Sequence, residues 1–377
     1  MKIAYCLKDL ITIGGLQKIV ILKANWLVDH GFEVIFIITD GCKEIPYKID
    51  NRIKIINLKI NYYKQKSRNY LSKIYYHYYN TYLHRKKLKD TLSRFNIDIV
   101  VSTFGNEMGI LSGISCKSKK ILEFHGSKYI YEKYVPETGI RRILDRYFRH
   151  QMYRQIRSFD KFVILSEKEL HSWNSNNVVA IPNALFDVAA NDFGDCGESK
   201  KIVAVGRIEA EKDFRTLVEI WREVSINHKG WKLYIYGYGS EYTTIQNEIS
   251  KYHLDNTIQL PGYISDLDHI YKDAAIYVLT SKYEGFSLST LEACAYGLPI
   301  VAFECGGEVA AMVRDGYNGY LIKNRDTKKF VEKLITLIEN PEIRINMGYC
   351  SKSIPANYSV TSVMEKWIQL FDGLVKS

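Results

Sequence analysis

Two carboxylates, Glu284 and Glu292, are separated by seven residues in the run Ser281-Lys282-Tyr283-Glu284-Gly285-Phe286-Ser287-Leu288-Ser289-Thr290-Leu291-Glu292. The apolar run Ile276 to Leu279 before them reads as a strand, and Glu284-Gly285 as a tight loop. A helix is predicted from near Phe286 to Gly297-Leu298-Pro299, where Gly and Pro stop it. Eight positions are just over two helical turns, so one carboxylate sits in the loop and the other on a nearby face of the helix. Between them, the N–H groups of Phe286, Ser287 and Leu288 open the helix and can receive an anion.

Three further groups of residues follow apolar runs in the same way. Val205-Gly206-Arg207-Ile208-Glu209-Ala210-Glu211-Lys212 offers a guanidinium that can fork two phosphate oxygens and an ammonium that adds a mobile charge. Ile13-Gly14-Gly15-Leu16 follows the first run and opens a helix, so that backbone can approach a ligand closely. Glu123-Phe124-His125-Gly126 ends a run in a histidine able to bond a hydroxyl or assist charge development. Taken singly, each has an ordinary structural alternative: a glycine turn, a histidine satisfied by backbone, a solvated basic pair.

These loops must be held by strands. Short β-branched runs alternate with helical patterns from the first residue, which implies parallel sheets built from strand-helix-strand units. Strands are expected at 3–7, 33–39, 97–102, 120–123, 161–165 and 178–181, and in a second series at 202–205, 232–236, 257–260, 276–279 and 300–303. The polar stretch from Asn191 to Ser199 separates the series and reads as a linker. A chain of 377 residues is long for one core, so two domains follow. The fold class is α/β, each domain Rossmann-like, with ligand loops at the carboxyl ends of the strands. Val363, Trp367, Leu370, Phe371 and Leu374 at helical spacing make a final helix that needs an apolar surface.

The ordered set Gly14-Gly15, His125-Gly126, Ile181-Pro182-Asn183, Gly206-Arg207 with Lys212, Gly237-Tyr238-Gly239, Glu284 with Glu292, and Gly316-Tyr317-Asn318-Gly319 resembles glycosyltransferase family 4 along essentially the whole chain. That family is of the retaining GT-B class: nucleotide-sugar-dependent enzymes of two facing Rossmann-like domains. The resemblance implies an N-terminal acceptor domain over 1–185, a linker over 186–200, a nucleotide-sugar domain over 201–356, and a C-terminal helix over 357–377 returning to the first domain. It makes Arg207 and Lys212 the clamp on the donor diphosphate, with Gly206 beside them. Glu292 would hold the ribose hydroxyls, Glu284 the donor sugar, and the amides of Phe286, Ser287 and Leu288 the phosphate. Gly14 and Gly15 would approach that phosphate from the other domain, and His125 would lie beside the reacting sugar. Tyr263 and Ile264 would hold the base through backbone atoms.

The activity implied is transfer of a hexose or N-acetylhexosamine, from a UDP-sugar, to a saccharide acceptor linked to a polyprenyl diphosphate, with retention and without a metal or other cofactor. A departing diphosphate gathers charge that fixed cations and N–H groups stabilise. The chain departs from the family pattern in Cys305-Gly306-Gly307-Glu308-Val309-Ala310-Ala311-Met312, where Glu308 is the acidic residue available to stand in. Asp266-Leu267-Asp268 reads as a helix cap rather than a metal site. A GT-B-fold nucleotide-sugar epimerase shares the architecture, but the basic pair and the two glutamates resemble transferases better.

Composition narrows the class. The 13% aromatic residues, including 29 Tyr, and the 7 Pro exclude a disordered or collagen-like chain. Seven scattered Cys without metal spacing read as reduced structural thiols. No apolar run approaches the ~20 residues that span a bilayer, and Met1 to Leu7 is too brief for a signal peptide. The expected location is therefore cytoplasmic. Residues 1–185 carry 31 Lys and Arg against 16 Asp and Glu, a net of +15; residues 186–377 carry 21 against 26, a net of −5. The excess concentrates in 54–90, with ten Lys and Arg among eight Tyr, and in the Arg-rich 141–157. Aromatic-basic helices of this kind suit an anionic membrane surface, here the inner face of the cytoplasmic membrane. A basic nucleic-acid-binding protein without catalysis leaves Glu284, Glu292 and the acidic second half unexplained, so no nucleic-acid partner is expected.

Overall fold

A computed structural model describes every residue except 12–13, 42–44, 63–69, 105, 129–138, 187–195 and 377. The middle of the expected linker, Ile13, Cys42, and Tyr63, Lys64, Lys66 and Arg68 of the basic segment thus lie outside the described residues. The chain divides into two units. Met1–His125, Glu132–Pro182 and Val363–Ser377 form the first, Gly126–Tyr131 and Asn183–Ser362 the second.

The first unit holds β1 (Lys2–Leu7), β2 (Glu33–Ile38), β3 (Lys54–Asn57), β4 (Ile99–Thr103), β5 (Lys119–Glu123), β6 (Lys161–Ile164) and β7 (Val178–Ala180). They form one sheet in the order β3-β2-β1-β4-β5-β6-β7, and every pairing is parallel. The central strands are apolar on both sides because helices cover both faces. The final helix, Val360–Lys376, buries Val363, Met364, Trp367, Phe371 and Leu374, and the first unit takes it in from Val363 onward.

The second unit holds β8 (Lys201–Val205), β9 (Lys232–Tyr236), β10 (Ile258–Gly262), β11 (Ile276–Leu279), β12 (Ile300–Phe303) and β13 (Gly319–Ile322), in the order β10-β9-β8-β11-β12-β13, again all parallel. Its core shows why the helices form. Helix Phe214–Val224 buries Phe214, Leu217, Val218, Trp221 and Val224, the spacing of one helical face. These pack with Phe330 and Leu334 of helix Thr327–Glu339 and with Val301 and Phe303 of β12. In both sheets the strand order reverses beside the first strand, between β1 and β4 and between β8 and β11. That reversal opens a crevice at the carboxyl ends of the strands.

The expected strands are present with ends shifted by up to two residues, and β3 and β13 come in addition. Both are four-residue edge strands. Asp266 accepts from the amides of Asp268 at 3.0 Å and His269 at 3.5 Å, so it caps helix Leu267–Tyr271 as expected. Gly316 to Gly319 forms the turn that enters β13, with Asn318 fully buried and donating to the Met312 carbonyl at 2.9 Å. It is therefore a structural turn at the amino end of a strand.

Candidate active site

In the second unit the crevice lies between the loops that follow β8 and β11, and the two basic residues and Glu284 are on those loops. Lys212 Nζ meets Glu284 Oε1 at 2.5 Å, and the Ser281 hydroxyl donates to the same oxygen at 2.7 Å. Arg207 points elsewhere. Its Nη2 bonds Glu211 Oε1 at 2.8 Å, and its side chain is 58% exposed. The structure thus joins Lys212 to Glu284 and leaves Arg207 accessible on the same loop.

A dense set of bonds fixes these loops to one another. Thr280 Oγ1 donates to the carbonyls of Lys212 and Asp213, and the Lys282 amide donates to the Glu211 carbonyl at 2.7 Å. Arg325 donates to the carbonyls of Thr280 and Ser281 and to Asp213 Oδ2 at 2.5 Å. Asp213 itself sits at φ 52, in the left-handed region, at the start of helix Phe214–Val224. Two glycines let backbones meet where a side chain would not fit. A Cβ on Gly237, at φ +143, would lie 1.9 Å from the Gly206 carbonyl oxygen, and one on Gly307, at φ +58, 2.2 Å from that of Glu284.

Helix Leu288–Ala295 starts later than expected. Ser287 is its N-cap in extended backbone, so the amides of the first turn are those of Leu288, Ser289 and Thr290, and of the expected three Leu288 is among them while Phe286 precedes the cap. Phe286 precedes the cap, and its ring packs edge-on against Tyr358 with centroids 5.5 Å apart. Ser287 makes no side-chain cap bond, its hydroxyl accepting instead from Thr290 at 2.8 Å. Glu292, on the helix, is buried and accepts at Oε2 from the Tyr271 hydroxyl at 3.1 Å. Burial pushes the Tyr271 hydroxyl far above its ordinary pKa, and the neighbouring Glu292 charge adds to the rise, so Tyr271 remains a donor. Glu308 bonds the Tyr358 hydroxyl through Oε1 at 3.1 Å, while its Oε2 is buried without a partner. Tyr263, exposed, and Ile264, half-buried, follow the carboxyl end of β10.

In the first unit Gly14 precedes and Gly15 opens helix Gly15–Asp29 after β1, and the Gly14 amide is 3.2 Å from the Tyr47 hydroxyl. His125 follows β5 by two residues, its Nε2 3.1 Å from Glu123 Oε1. The same oxygen accepts from Lys23 Nζ at 2.5 Å. Burial favours the neutral carboxyl of Glu123, but Lys23 and His125 outweigh it and hold its pKa at about 2.

Four residues that hold these loops and Glu292 were not singled out from the sequence. Asp213 had a signal, since it follows Lys212 directly. Ser281 lies in the quoted run. Arg325 and Tyr271 have no local signal, because Arg325 reaches Asp213 across 112 positions and Tyr271 reaches Glu292 across 21.

Residues 190–353 match the family model described as glycosyl transferases group 1. An uncharacterized glycosyltransferase of Haemophilus influenzae is 27% identical over 97% of this chain and 98% of its own length. The amylovoran biosynthesis glycosyltransferase AmsD of Erwinia amylovora is 28% identical over 55% of this chain and 61% of its own. Among solved structures, a mutant of S. aureus TarM in complex with fondaparinux, alpha-GlcNAc-glycerol and UDP superposes with a TM-score of 0.78 at 17% identity, covering 98% of this chain and 99% of that one. The two Rossmann-like units share the GT-B fold of these solved structures, and in sequence the chain is similar to the glycosyltransferases named.

Proposed function

We propose that this chain is a retaining, family 4 glycosyltransferase that moves a hexose or N-acetylhexosamine from a UDP-sugar to a saccharide hydroxyl on a polyprenyl diphosphate, in the making of a cell-surface polysaccharide. The observation that carries the reading is the Lys212–Glu284 pair at the strand-order reversal of the second sheet, where an α/β fold binds its ligand. On donor binding, the diphosphate takes Lys212 and Arg207, and Glu284 is released to a sugar hydroxyl while Ser281 keeps it in place. The amides of Leu288, Ser289 and Thr290 face the phosphate charge, Glu292 takes the ribose, and Tyr263 and Ile264 take the base. By the resemblance alone, Gly14, Gly15 and His125 are also donor residues.

As the sugar–phosphate bond breaks, negative charge grows on the departing diphosphate, and fixed cations and amides stabilise it without rearranging. The same groups supply the positive charge that a divalent ion would otherwise bring, so the reaction proceeds without one. The departing diphosphate takes the proton of the incoming hydroxyl on its own face, which leaves the anomeric configuration unchanged. The UDP and alpha-GlcNAc-glycerol named with the TarM structure, and the polysaccharide named with AmsD, support the choice of donor and pathway class.

The acceptor reading rests on the first unit's charge and on two helices. Tyr70–Arg94 exposes Tyr75, Tyr78, Tyr79 and Tyr82, and Gly139–Arg157 exposes Ile143, Leu144, Tyr147 and Phe148 between its arginines. Rings and aliphatic groups at the headgroup level with Lys and Arg beside lipid phosphate suit peripheral attachment to an anionic membrane. No helix among the described residues is long and apolar enough to cross one. The test is a screen of UDP-glucose, UDP-galactose and the two UDP-N-acetylhexosamines, with membrane lipid extract as acceptor and EDTA present. UDP release coupled to a glycosylated lipid is expected. Interconversion of the nucleotide sugars without transfer would replace this reading with an epimerase.

A further inference from the structure

Lys23 and Glu123 form an ion pair whose side chains are only 3% and 1% exposed. Exchanging such a buried pair for apolar residues of similar volume is commonly neutral or stabilising, so stability does not account for it. Its surroundings give another reason. Glu123 ends β5, and His125 follows two positions on, the spacing that sends side chains to the same side of a strand. Glu123 Oε1 is shared between Lys23 Nζ and His125 Nε2, at 2.5 and 3.1 Å.

The second contact has a hydrogen bond's length without its alignment, and Nε2 has no other partner among the described residues. Glu123 is therefore the acceptor available to that nitrogen. The Trp367 ring centroid lies 3.9 Å from Lys23 Nζ and that of Tyr5 5.4 Å, so aromatic faces replace part of the ammonium's lost water. Trp367 comes from the C-terminal helix, which thereby closes the cluster. The titratable groups facing Glu123 are Lys23 from the first helix, Tyr5 from β1 and His125, and the first and last of these hold it ionised.

We infer that Glu123, paired with Lys23, is the positioning residue of His125: it keeps the imidazole proton on Nε2 and so presents Nδ1 as an acceptor for a sugar hydroxyl. The inference rests on the reading of His125 as a residue of the sugar site. The His125 side chain stays 10% exposed, so the ring is not sealed away.

The test uses the full chain labelled with 15N-histidine, whose tautomers are read by NMR. A single Nε2–H form of His125 is expected in the wild type, and an Nδ1–H form there overturns the inference with no variant needed. In Lys23→Met/Glu123→Leu, the neutral replacement of the pair, the tautomers should mix. Hydrolysis of UDP-N-acetylglucosamine should then fall at least ~10-fold in kcat with KM unchanged. Lys23→Met/Glu123→Gln keeps an acceptor oxygen and should recover most of both signals. A folded Leu variant with an unmixed tautomer and wild-type kcat overturns the inference. His125→Ala separates the two layers: unchanged kcat in that variant removes the sugar-site reading of His125, whereas the tautomer result judges Glu123 on its own.

Discussion

Lys212 carries the largest burden of any one residue. Its ammonium is paired with Glu284, and on the proposed reading it passes to a phosphate when Glu284 turns to the sugar. Lys212→Ala should lower the kcat for donor turnover by about 10²–10³-fold, the loss usual for one group that stabilises transition-state charge. Arg207→Ala should act in the same direction, and wild-type rates in both variants would dismiss the diphosphate clamp. On the same reading Glu292 acts through binding. Glu292→Gln should weaken UDP affinity by about tenfold, or roughly 1.4 kcal/mol, in calorimetric titration, with little change in kcat. Arg207, Lys212 and Glu284 stand out in the sequence because each lies in the loop after a strand, and Glu292 because it lies about two helical turns beyond Glu284. Asp213 and Arg325 were not read, since their meaning lies in a contact between two loops far apart in the chain.

Helices and strands show the same division between local and distant information. The helix after Glu284 was legible, but it starts two residues later than expected, with Phe286 before the cap and packed against Tyr358, a partner no local pattern reveals. Edge strands β3 and β13 were missed because polar residues or glycine at their ends leave each with only a two- or three-residue apolar run. Helix Tyr70–Arg94 carries a pH signal of its own. His84 is 1% exposed, its Nδ1 3.2 Å from the Tyr62 hydroxyl, and burial pulls its pKa down to about 4. An unfolded histidine titrates near 6.5, so the neutral form favoured by the fold contributes fully above that value. The contribution, about 3 kcal/mol, is lost as pH falls from about 6.5 to about 4. The melting temperature should drop over that interval, and His84→Gln should flatten the slope. An equal slope in the variant would place the acid sensitivity elsewhere.

The molecule as a whole divides its charge unevenly, with +15 over residues 1–185 and −5 over residues 186–377. Each Lys or Arg at an anionic surface contributes about 1 kcal/mol, so the chain should float with anionic liposomes at low salt and be released at high salt. Ile143→Ser/Phe148→Ser should weaken flotation at both salt levels, and equal recovery with neutral liposomes would leave a soluble acceptor. The two-unit α/β fold was legible because strand and helix periods alternate throughout. Which unit the last helix joins depended on finding an apolar surface, and from Val363 onward that surface is in the first unit. The most direct test of the account is proton NMR of UDP-N-acetylglucosamine turnover with a polyprenyl-diphosphate-linked saccharide and EDTA. An α-linked product appearing as UDP is released is the predicted result; a β-linked product, or turnover abolished by EDTA, would contradict it.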